Sequence, residues 1–157
     1  MEINIVLVEP EIPHNTGAIG RICVGLDARL HLIQPLGFSL REDALRRSGL
    51  DYWQHVDVVL HKCWNAFLDS ENPQQLFFAS TKGARDLYDF RFMPGVYIVF
   101  GSEHRGFPSE FYDIYKDLLH RIPMPGRNAR SINLANAVSI AAYEAYRQMH
   151  TAPTGKC

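Results

Sequence analysis

Residues 96–108 read V-Y-I-V-F-G-S-E-H-R-G-F-P, and this stretch decides the expected fold. Its first five residues form an apolar run of the length of a buried strand. A polar loop follows, bracketed by Gly101 and Gly106, and Pro108 then suits the first turn of a helix. A buried strand, a polar loop and a helix in this order form the repeating unit of an α/β domain with a parallel sheet.

The same alternation recurs along the chain. The apolar runs are bounded by glycine, proline or charge, and they predict strands at residues 3–8, 30–33, 56–60, 76–79 and 96–100. Helices are predicted from Asn15 or Thr16 onward, at 41–48, at about 62–71, after Pro108 and at 134–149. We therefore expect a single α/β domain over residues 1–150, with a mostly parallel sheet flanked by helices, and a flexible tail at 151–157.

The last predicted helix is apolar on two faces. One stripe is Leu134, Val138, Ala141, Ala142 and Ala145, and the other is Ala137, Ile140, Tyr143 and Tyr146. A helix that is apolar on most sides is buried on most sides, so we expect a second copy of the chain to cover the extra face. Asn136 lies among these apolar residues, and we expect it to be buried with a specific hydrogen-bond partner.

Composition excludes several classes of protein. With 157 residues, 46 % of them hydrophobic and 21 % charged, the chain has the make-up of one globular domain. No run approaches the roughly 20 apolar residues of a membrane-spanning helix. Residues 1–10 lack the basic region and the cleavage site of a secretory signal. We therefore expect a cytoplasmic protein without a membrane partner.

The cysteines and histidines do not show the spacing of a metal site. Cys23, Cys63 and Cys157 form no C-x-x-C pair. His14, His61 and His120 do not fall at ligand spacing either. On this pattern we expect neither a disulfide framework nor a bound metal.

Positive charge is local in this chain. The formal net charge is −1, so any RNA binding must come from patches of arginine. The candidate residues lie in two segments and are Arg41, Arg46, Arg47, Arg121, Arg127 and Arg130. For the first three, ordinary solvated surface arginines are an equally good interpretation.

Three loops rich in glycine and polar residues are candidates for a functional site. They span residues 9–21, 101–106 and 121–136. Because ligands bind at the carboxyl ends of parallel strands, these loops are the places where a site is expected. The second loop, which runs on to Pro108, has the pattern of a nucleotide cradle, and an ordinary strand-to-helix turn is the alternative. The glycine spacing of the second loop matches neither a dinucleotide fingerprint nor a P-loop. On the residues alone, Asn15 as a helix cap and Arg21 as a solvated side chain remain the alternative.

Taken together and in order, the three loops resemble the three motifs of the SPOUT superfamily of RNA methyltransferases. The first motif is N-T-G with Arg21, the second is F-G-S-E-H-R-G at 100–106, and the third runs from I-P-M at 122–124 to S-I-N-L-A-N-A-V at 131–138. The segments R-R-S-G-L-D-Y at 46–52 and Y-E-A-Y at 143–146 are similar to the minimal branch that methylates the wobble ribose of tRNA, at cytidine or uridine.

The resemblance implies a fold that the periodicity alone does not predict. It implies a deep trefoil knot near the C-terminus, whereas chains as a rule do not thread loops. It also implies S-adenosylmethionine as the cofactor, the tRNA anticodon stem-loop as substrate, and a homodimer formed by the C-terminal helix and the motif-one helix. Position by position, the cofactor is expected against Ala79, Gly101, Ile122, Ser131, Ile132 and Leu134.

The catalytic residues implied by the resemblance are Arg21, Asn15, Tyr143, Glu103 and Asn133, and RNA binding falls to Arg41, Arg46, Arg47, Arg127 and Arg130. Related families assign the base role to the motif-one arginine, but a guanidinium has a pKa above about 12 and no free lone pair. We therefore expect Arg21, oriented by Asn15, to stabilise the developing alkoxide or to clamp a phosphate. Tyr143 is expected to contact the hydroxyl or Arg21. The alternatives are another tRNA or rRNA nucleotide as the target, or a non-catalytic RNA-binding module.

Overall fold

A computed structural model gives the structure of the chain and describes residues 1–39 and 51–151. In these residues seven strands form one sheet: β1 (Ile3–Val8), β2 (Arg29–Ile33), β3 (Val58–His61), β4 (Leu76–Ala79), β5 (Arg85–Asp86), β6 (Val96–Phe100) and β7 (Leu119–Arg121). Their order is β3-β2-β1-β6-β4-β7-β5, and every neighbouring pair is parallel. The expected α/β fold with a parallel sheet is confirmed.

The helices lie on both faces of the sheet. They are α1 (Pro13–Leu26), α2 (Trp64–Glu71), α3 (Phe111–Ile114) and α4 (Leu134–His150), with 3-10 turns at Asp51–His55, Leu87–Asp89 and Lys116–Leu118. Among the described residues, no helix combines the length and the apolar character needed to cross a membrane.

One face of the sheet is covered by α1 and α4. Ile5 of β1 pairs with Leu30 and Ile98 on the neighbouring strands, and all three are fully buried. Cys23 of α1 and Ala142 of α4 belong to the same core cluster. Burial raises the pKa of the Cys23 thiol to about 12, so this cysteine behaves as a small apolar side chain.

The opposite face is covered by α2 and α3 and is rich in aromatic rings. Phe67 of α2 is fully buried, and Trp64 stacks at its side with the ring centroids 4.9 Å apart. This face also buries two histidines of neighbouring strands, His31 and His61. Desolvation lowers the pKa of His31 to about 3 and lowers that of His61, so both imidazoles are neutral at neutral pH.

Most of the predicted strands are confirmed, three of them residue for residue. β3 begins at Val58 rather than at residue 56, and β5 and β7 were not predicted. The helix predicted at 41–48 lies outside the described residues, as do tail residues 152–157.

Two local predictions are wrong, and a third, a helix that follows Pro108, is confirmed but with a later start than expected. Helix α1 begins at Pro13, because proline suits the first turn and the backbone turns at Ile12, so neither Asn15 nor Thr16 caps it. Helix α3 begins at Phe111, three residues after Pro108, whose carbonyl accepts a hydrogen bond from the Phe111 amide. Asn136 is exposed rather than buried, because the buried stripe of α4 runs along Ala135, Val138 and Ala142.

The strand order creates the place for a site. The chain runs from β1 through α1 to β2 on one side of β1, whereas it runs from β6 through α3 to β7 on the other side of β6. The loops that leave β1 and β6 therefore diverge, and a crevice opens between them at the carboxyl ends of the strands.

Candidate active site

A cavity of about 530 Å³ lies at this crevice. Its volume is within the range of about 300–1,000 Å³ typical of small-molecule sites. The six residues to which the resemblance assigns the cofactor all line it: Ala79, Gly101, Ile122, Ser131, Ile132 and Leu134. Residues of all three motif loops thus line the same cavity.

The motif-two loop is folded back on itself at the end of β6. Ser102 and Gly106 form an antiparallel bridge, with N···O distances of 2.9 and 3.0 Å. Gly106 has a φ of +71°, a conformation that favours glycine. A Cβ on Gly101 would lie 2.3 Å from the carbonyl carbon of Gly106, so the turn has no room for a side chain there.

A chain of hydrogen bonds joins the three motifs. The Asn133 side-chain amide donates to the Asn15 side-chain oxygen at 2.9 Å, and the Asn15 amide donates to the Glu103 carboxylate at 3.1 Å. Glu103 also accepts from the backbone N–H groups of Glu11 and Ile12, at 2.8 and 3.1 Å. Because the Glu103 carboxylate satisfies three donors of the first loop, it fixes that loop against the second.

Asn133 holds the third loop in the same network. Its side-chain oxygen accepts from the amides of Ala135 and Asn136, at 2.8 and 3.3 Å, so it is the N-cap of α4. The Asn133 side chain thus caps the N-terminus of α4 and also forms a hydrogen bond with Asn15 of the first motif.

A second, exposed contact links the first two loops at the rim. The Glu11 carboxylate accepts a hydrogen bond from His104 and lies 3.2 Å from the Arg105 guanidinium. The His104 hydrogen bond holds the pKa of Glu11 below its usual value. Because the His104 and Arg105 side chains are 72 % and 81 % exposed, solvent screens this contact and it contributes little to stability.

Sequence reasoning missed one wall of the cavity. Ser80, Thr81 and Lys82 line it after β4, and Tyr112 lines it from α3. The Lys82 ammonium lies 4.1 Å from the centre of the Tyr112 ring, and the Tyr112 hydroxyl accepts from the Phe107 amide at 3.3 Å. The polar run S-T-K-G at 80–83 directly follows a predicted strand, so the rule that located the other loops also points to this one.

Two expected catalytic residues, Arg21 and Tyr143, lie away from the cavity lining. The Arg21 guanidinium stacks on the Tyr52 ring, 4.5 Å from its centre, and is exposed. Tyr143 is 52 % exposed and extends over Gly25 of α1. Sequence reasoning proposed that Asn15 orients Arg21. In the structure the Asn15 side chain instead forms hydrogen bonds with Glu103 and Asn133.

The candidate arginines of the sequence pattern differ in their surroundings. Arg127 and Arg130 are exposed on the loop between β7 and α4, beside the cavity. Arg121 bonds the Asp86 carboxylate at 2.7 Å. Arg41, Arg46 and Arg47 lie outside the described residues.

Known proteins with the same sequence pattern and fold are enzymes. A tRNA (cytidine(34)-2'-O)-methyltransferase of Saccharophagus degradans is 50 % identical over 147 residues, which cover 93 % of this chain and 95 % of that protein. A solved structure concerned with the 2-OH methylation of C/U34 on tRNA has a TM-score of 0.85 at 48 % identity and covers 93 % of this chain and 95 % of its own. The SpoU methyltransferase AviRb of Streptomyces viridochromogenes, solved with AdoMet, has a TM-score of 0.78 at 25 % identity over 92 % of this chain and 57 % of its own. The model of the SpoU rRNA Methylase family matches residues 2–143, and the chain belongs to that family.

Proposed function

We propose that this protein transfers a methyl group from S-adenosylmethionine to the ribose 2′-hydroxyl of nucleotide 34, the wobble cytidine or uridine, of tRNA. The observation that carries the proposal is the hydrogen-bond chain Asn133–Asn15–Glu103, which brings all three motifs to one cavity. The choice of substrate is supported by relatives that are 43–50 % identical to this chain and are named tRNA (cytidine(34)-2'-O)-methyltransferases. A tRNA substrate supports a location in the cytoplasm.

The residues around the cavity fit S-adenosylmethionine. Ile122, Ile132 and Leu134 offer apolar surface for an adenosine, and Ser131 and the backbone at Gly101 offer polar groups. The tight turn at Gly101 leaves the backbone, rather than a side chain, facing the cavity. When bound, the cofactor supplies a methyl group on a sulfonium, which is already activated for transfer.

The role of the protein is then to position the ribose and to stabilise charge. Arg21 is exposed and has no acidic partner at hydrogen-bond distance in the described part of the chain, so its charge is available to a substrate. A guanidinium does not accept a proton at neutral pH. We therefore assign Arg21 the stabilisation of the developing alkoxide or the clamping of the adjacent phosphate, and the proton leaves late or to solvent.

A homodimer would bring Arg21 to a cavity. Arg21 and Val24 of α1 share an exposed surface with Tyr143 and Tyr146 of α4, and Val24, Tyr143 and Tyr146 are 39 %, 52 % and 42 % exposed. Exposed aromatic and apolar side chains at neighbouring positions favour a protein interface. We assign this surface to a second copy of the chain, so that Arg21 of one chain serves the cavity of the other.

The RNA would approach over the rim of the cavity. Arg127 and Arg130 flank it, and they can neutralise phosphates of the anticodon stem-loop. Arg41, Arg46 and Arg47 are assigned the same role on the sequence pattern alone.

The trefoil knot is part of the same proposal. It is supported by the close passage of the β4–β5 connection past β7. The Ser80 amide donates to the His120 carbonyl at 2.8 Å, and a Cβ on Gly83 would lie 2.5 Å from the His120 carbonyl carbon. Pulling one molecule by its two ends tests the knot. The measured quantity is the end-to-end length of the stretched chain. An unknotted chain reaches roughly 3.3–3.6 Å per residue, whereas a knotted chain stays shorter because the tightened knot retains residues.

Nucleoside mass spectrometry tests the proposed reaction. The purified protein is incubated with S-adenosylmethionine and tRNA from cells that lack it, and the tRNA fragments are mapped. We expect one 2′-O-methyl group at nucleotide 34. A methyl group at a different nucleotide would show another specificity. Calorimetric binding of the cofactor without any methylation would show a non-catalytic RNA-binding module.

A further inference from the structure

A cluster of possible metal ligands lies outside the lining of the cavity, on the sheet face that α2 covers. His31 comes from β2, His61 from the end of β3 and Glu71 from the end of α2. His31 Nδ1 and His61 Nε2 are 3.0 Å apart, and a ligand atom of each of the three residues lies within 4.8 Å of the others. His31 is fully buried and His61 is 5 % exposed, so the cluster is largely shielded from water.

The surroundings of His61 fix which of its nitrogens faces His31. The Ser70 hydroxyl donates to the Phe67 carbonyl at 3.2 Å, so its oxygen is free to accept from His61 Nδ1, 3.4 Å away. With the proton on Nδ1, the Nε2 nitrogen presents a bare lone pair towards His31. A hydrogen bond at the second ring nitrogen is the usual way in which proteins orient a metal-binding histidine.

His31 is able to present a lone pair in return. In the described part of the chain, its Nε2 has no hydrogen-bond partner, so no polar neighbour there dictates its tautomer. Two bare nitrogens that face each other require a proton or a cation between them. A tetrahedral zinc ion with Zn–N distances of about 2.0–2.1 Å separates two nitrogen ligands by about 3.3 Å, within a few tenths of an ångström of the observed pair.

Glu71 favours the cation over the shared proton. Its carboxylate supplies an oxygen ligand and the negative charge that a buried cation needs. The Tyr97 hydroxyl donates to Glu71 Oε2 at 3.2 Å and so orients the carboxylate. The nearby Arg29 guanidinium is paired with Asp57 at 2.8 Å, which offsets its repulsion of a cation.

We propose that His31, His61 and Glu71 bind one divalent transition-metal ion, with Zn²⁺ as the best match, and that the ion ties α2 to β2 and β3. Two imidazoles and a carboxylate are a ligand set that zinc commonly takes, with water in the fourth position. None of the three ligands lines the methyl-transfer cavity, so the role of the ion is to stabilise the fold. Sequence spacing missed it because the two histidines are 30 residues apart and meet only through strand pairing.

Metal titration of the full-length protein tests this site. The protein is stripped with a chelator and titrated with Zn²⁺ by calorimetry and with Co²⁺ by visible spectroscopy. We expect one ion per chain, a d–d spectrum of tetrahedral Co²⁺, and a higher Tm for the Zn²⁺-loaded protein, because an ion that binds only the native state stabilises it.

Glu71→Gln and Asp69→Asn form a matched pair of variants on α2. Glu71→Gln keeps the size of the side chain and an acceptor for Tyr97, and we expect it to weaken Zn²⁺ binding at least about tenfold and to remove the Tm increase. Asp69→Asn makes the same charge change at an exposed position and should alter neither quantity. Absence of a Zn²⁺-dependent Tm increase in the unsubstituted protein, or binding that survives Glu71→Gln, would overturn the proposal.

Discussion

The exposed guanidinium of Arg21 makes a clear test at the scale of one residue. Its main contact is the stack on Tyr52, and an exposed contact of this kind contributes about 0.5–1 kcal/mol. We expect Arg21→Ala to lower the rate of methyl transfer by about 10²–10³-fold, the usual effect of removing a group that stabilises developing charge. Arg21→Lys should also be slow, because lysine lacks the planar fork of donors. Single-turnover methylation measures the rate.

Cofactor affinity and Tm separate a catalytic effect of Arg21 from a structural one. Calorimetry should show nearly unchanged binding of S-adenosylmethionine by Arg21→Ala, and the Tm should fall only slightly. Arg85→Ala, which removes an exposed arginine on the edge strand β5, is the control and should leave the rate unchanged. An undiminished rate in Arg21→Ala would remove this residue from the active site.

Thr16 offers a test of stability at the same scale. It is fully buried in α1, and its hydroxyl has no hydrogen-bond partner among the described residues. A buried hydroxyl without a partner costs about 1–3 kcal/mol, so Thr16→Val should raise the free energy of unfolding by about 1 kcal/mol. Thr16→Ser keeps the hydroxyl and loses a methyl group, and it should be less stable than the parent. Urea denaturation measures both, and a loss of stability in Thr16→Val would contradict the prediction.

At the level of strands and helices, the sequence predicts the buried central strands but not the short strands near the edge of the sheet. β1, β4 and β6 are predicted residue for residue, because each is a mainly apolar run in the middle of the sheet. β5 and β7 have two and three residues and contain charged side chains, so they carry no apolar pattern. They are strands only because they pair with each other and with β4. Pairing of this kind is a tertiary effect that local sequence does not encode.

The start of α1 shows the same limit for a polar residue. Asparagine is a common N-cap, and the sequence therefore predicted a helix start at Asn15. In the structure Asn15 lies inside the helix, and its amide bonds residues that are 88 and 118 positions away. A local rule failed here because a long-range functional contact uses the side chain, which is where such failures are expected.

The turn of the second motif can be tested by substituting Gly101. A Cβ on Gly101 would meet backbone atoms of Gly106 at 2.3 Å and 2.6 Å, so Gly101→Ala must open the turn that forms one wall of the cavity. We expect this variant to lose measurable binding of S-adenosylmethionine by calorimetry. Gly126→Ala is the matched control, because its Cβ meets only the Ala129 side chain, at an ordinary 3.7 Å, and it should bind normally. Normal binding by Gly101→Ala would show that the turn does not hold the cofactor.

At the scale of the whole molecule, the sequence identified the loops but not the network that joins them. Asn15, Glu103 and Asn133 were each expected to be functional, and the structure adds that they are bonded in one chain. The position of Arg21 outside the cavity lining was not predictable from motif order. It follows from the packing of α1 against the turn at Asp51–His55, where Trp53 lies against Gly20.

The charge distribution of the molecule predicts how RNA binding depends on salt. With a net charge of −1, attraction to RNA rests on local arginines such as Arg127 and Arg130. Substituting both by glutamine should weaken tRNA binding and make the slope of log K against log salt shallower by about 1–2, since each phosphate contact contributes about 0.7–0.9. Arg91→Gln, which changes an exposed arginine in the segment between the Leu87–Asp89 turn and β6, is the control and should keep the slope. A slope unchanged by the double substitution would exclude these arginines from the RNA interface.

The assembly of two chains can be tested at the surface formed by α1 and α4. If the exposed surface of α1 and α4 joins two copies, a charge placed in it should separate them. We expect Val24→Glu to be a monomer by light scattering and to lose methyl transfer. Leu60→Glu is the control, because Leu60 is also a partly exposed apolar residue, at 47 %, but lies on β3, and it should remain a dimer. A dimeric Val24→Glu would place the interface elsewhere.

Mixing two inactive variants tests whether each site is shared between chains. Arg21→Ala keeps an intact cavity, and Gly101→Ala keeps an intact Arg21. A heterodimer of the two contains one complete site if Arg21 of one chain serves the cavity of the other, because the chain with the intact cavity then receives the intact arginine. After unfolding and refolding together, the mixture should recover about a quarter of the parent activity, since half of the dimers are mixed and each has one working site of two. If Arg21 serves the cavity of its own chain, every site in the mixture lacks one component, and no activity returns.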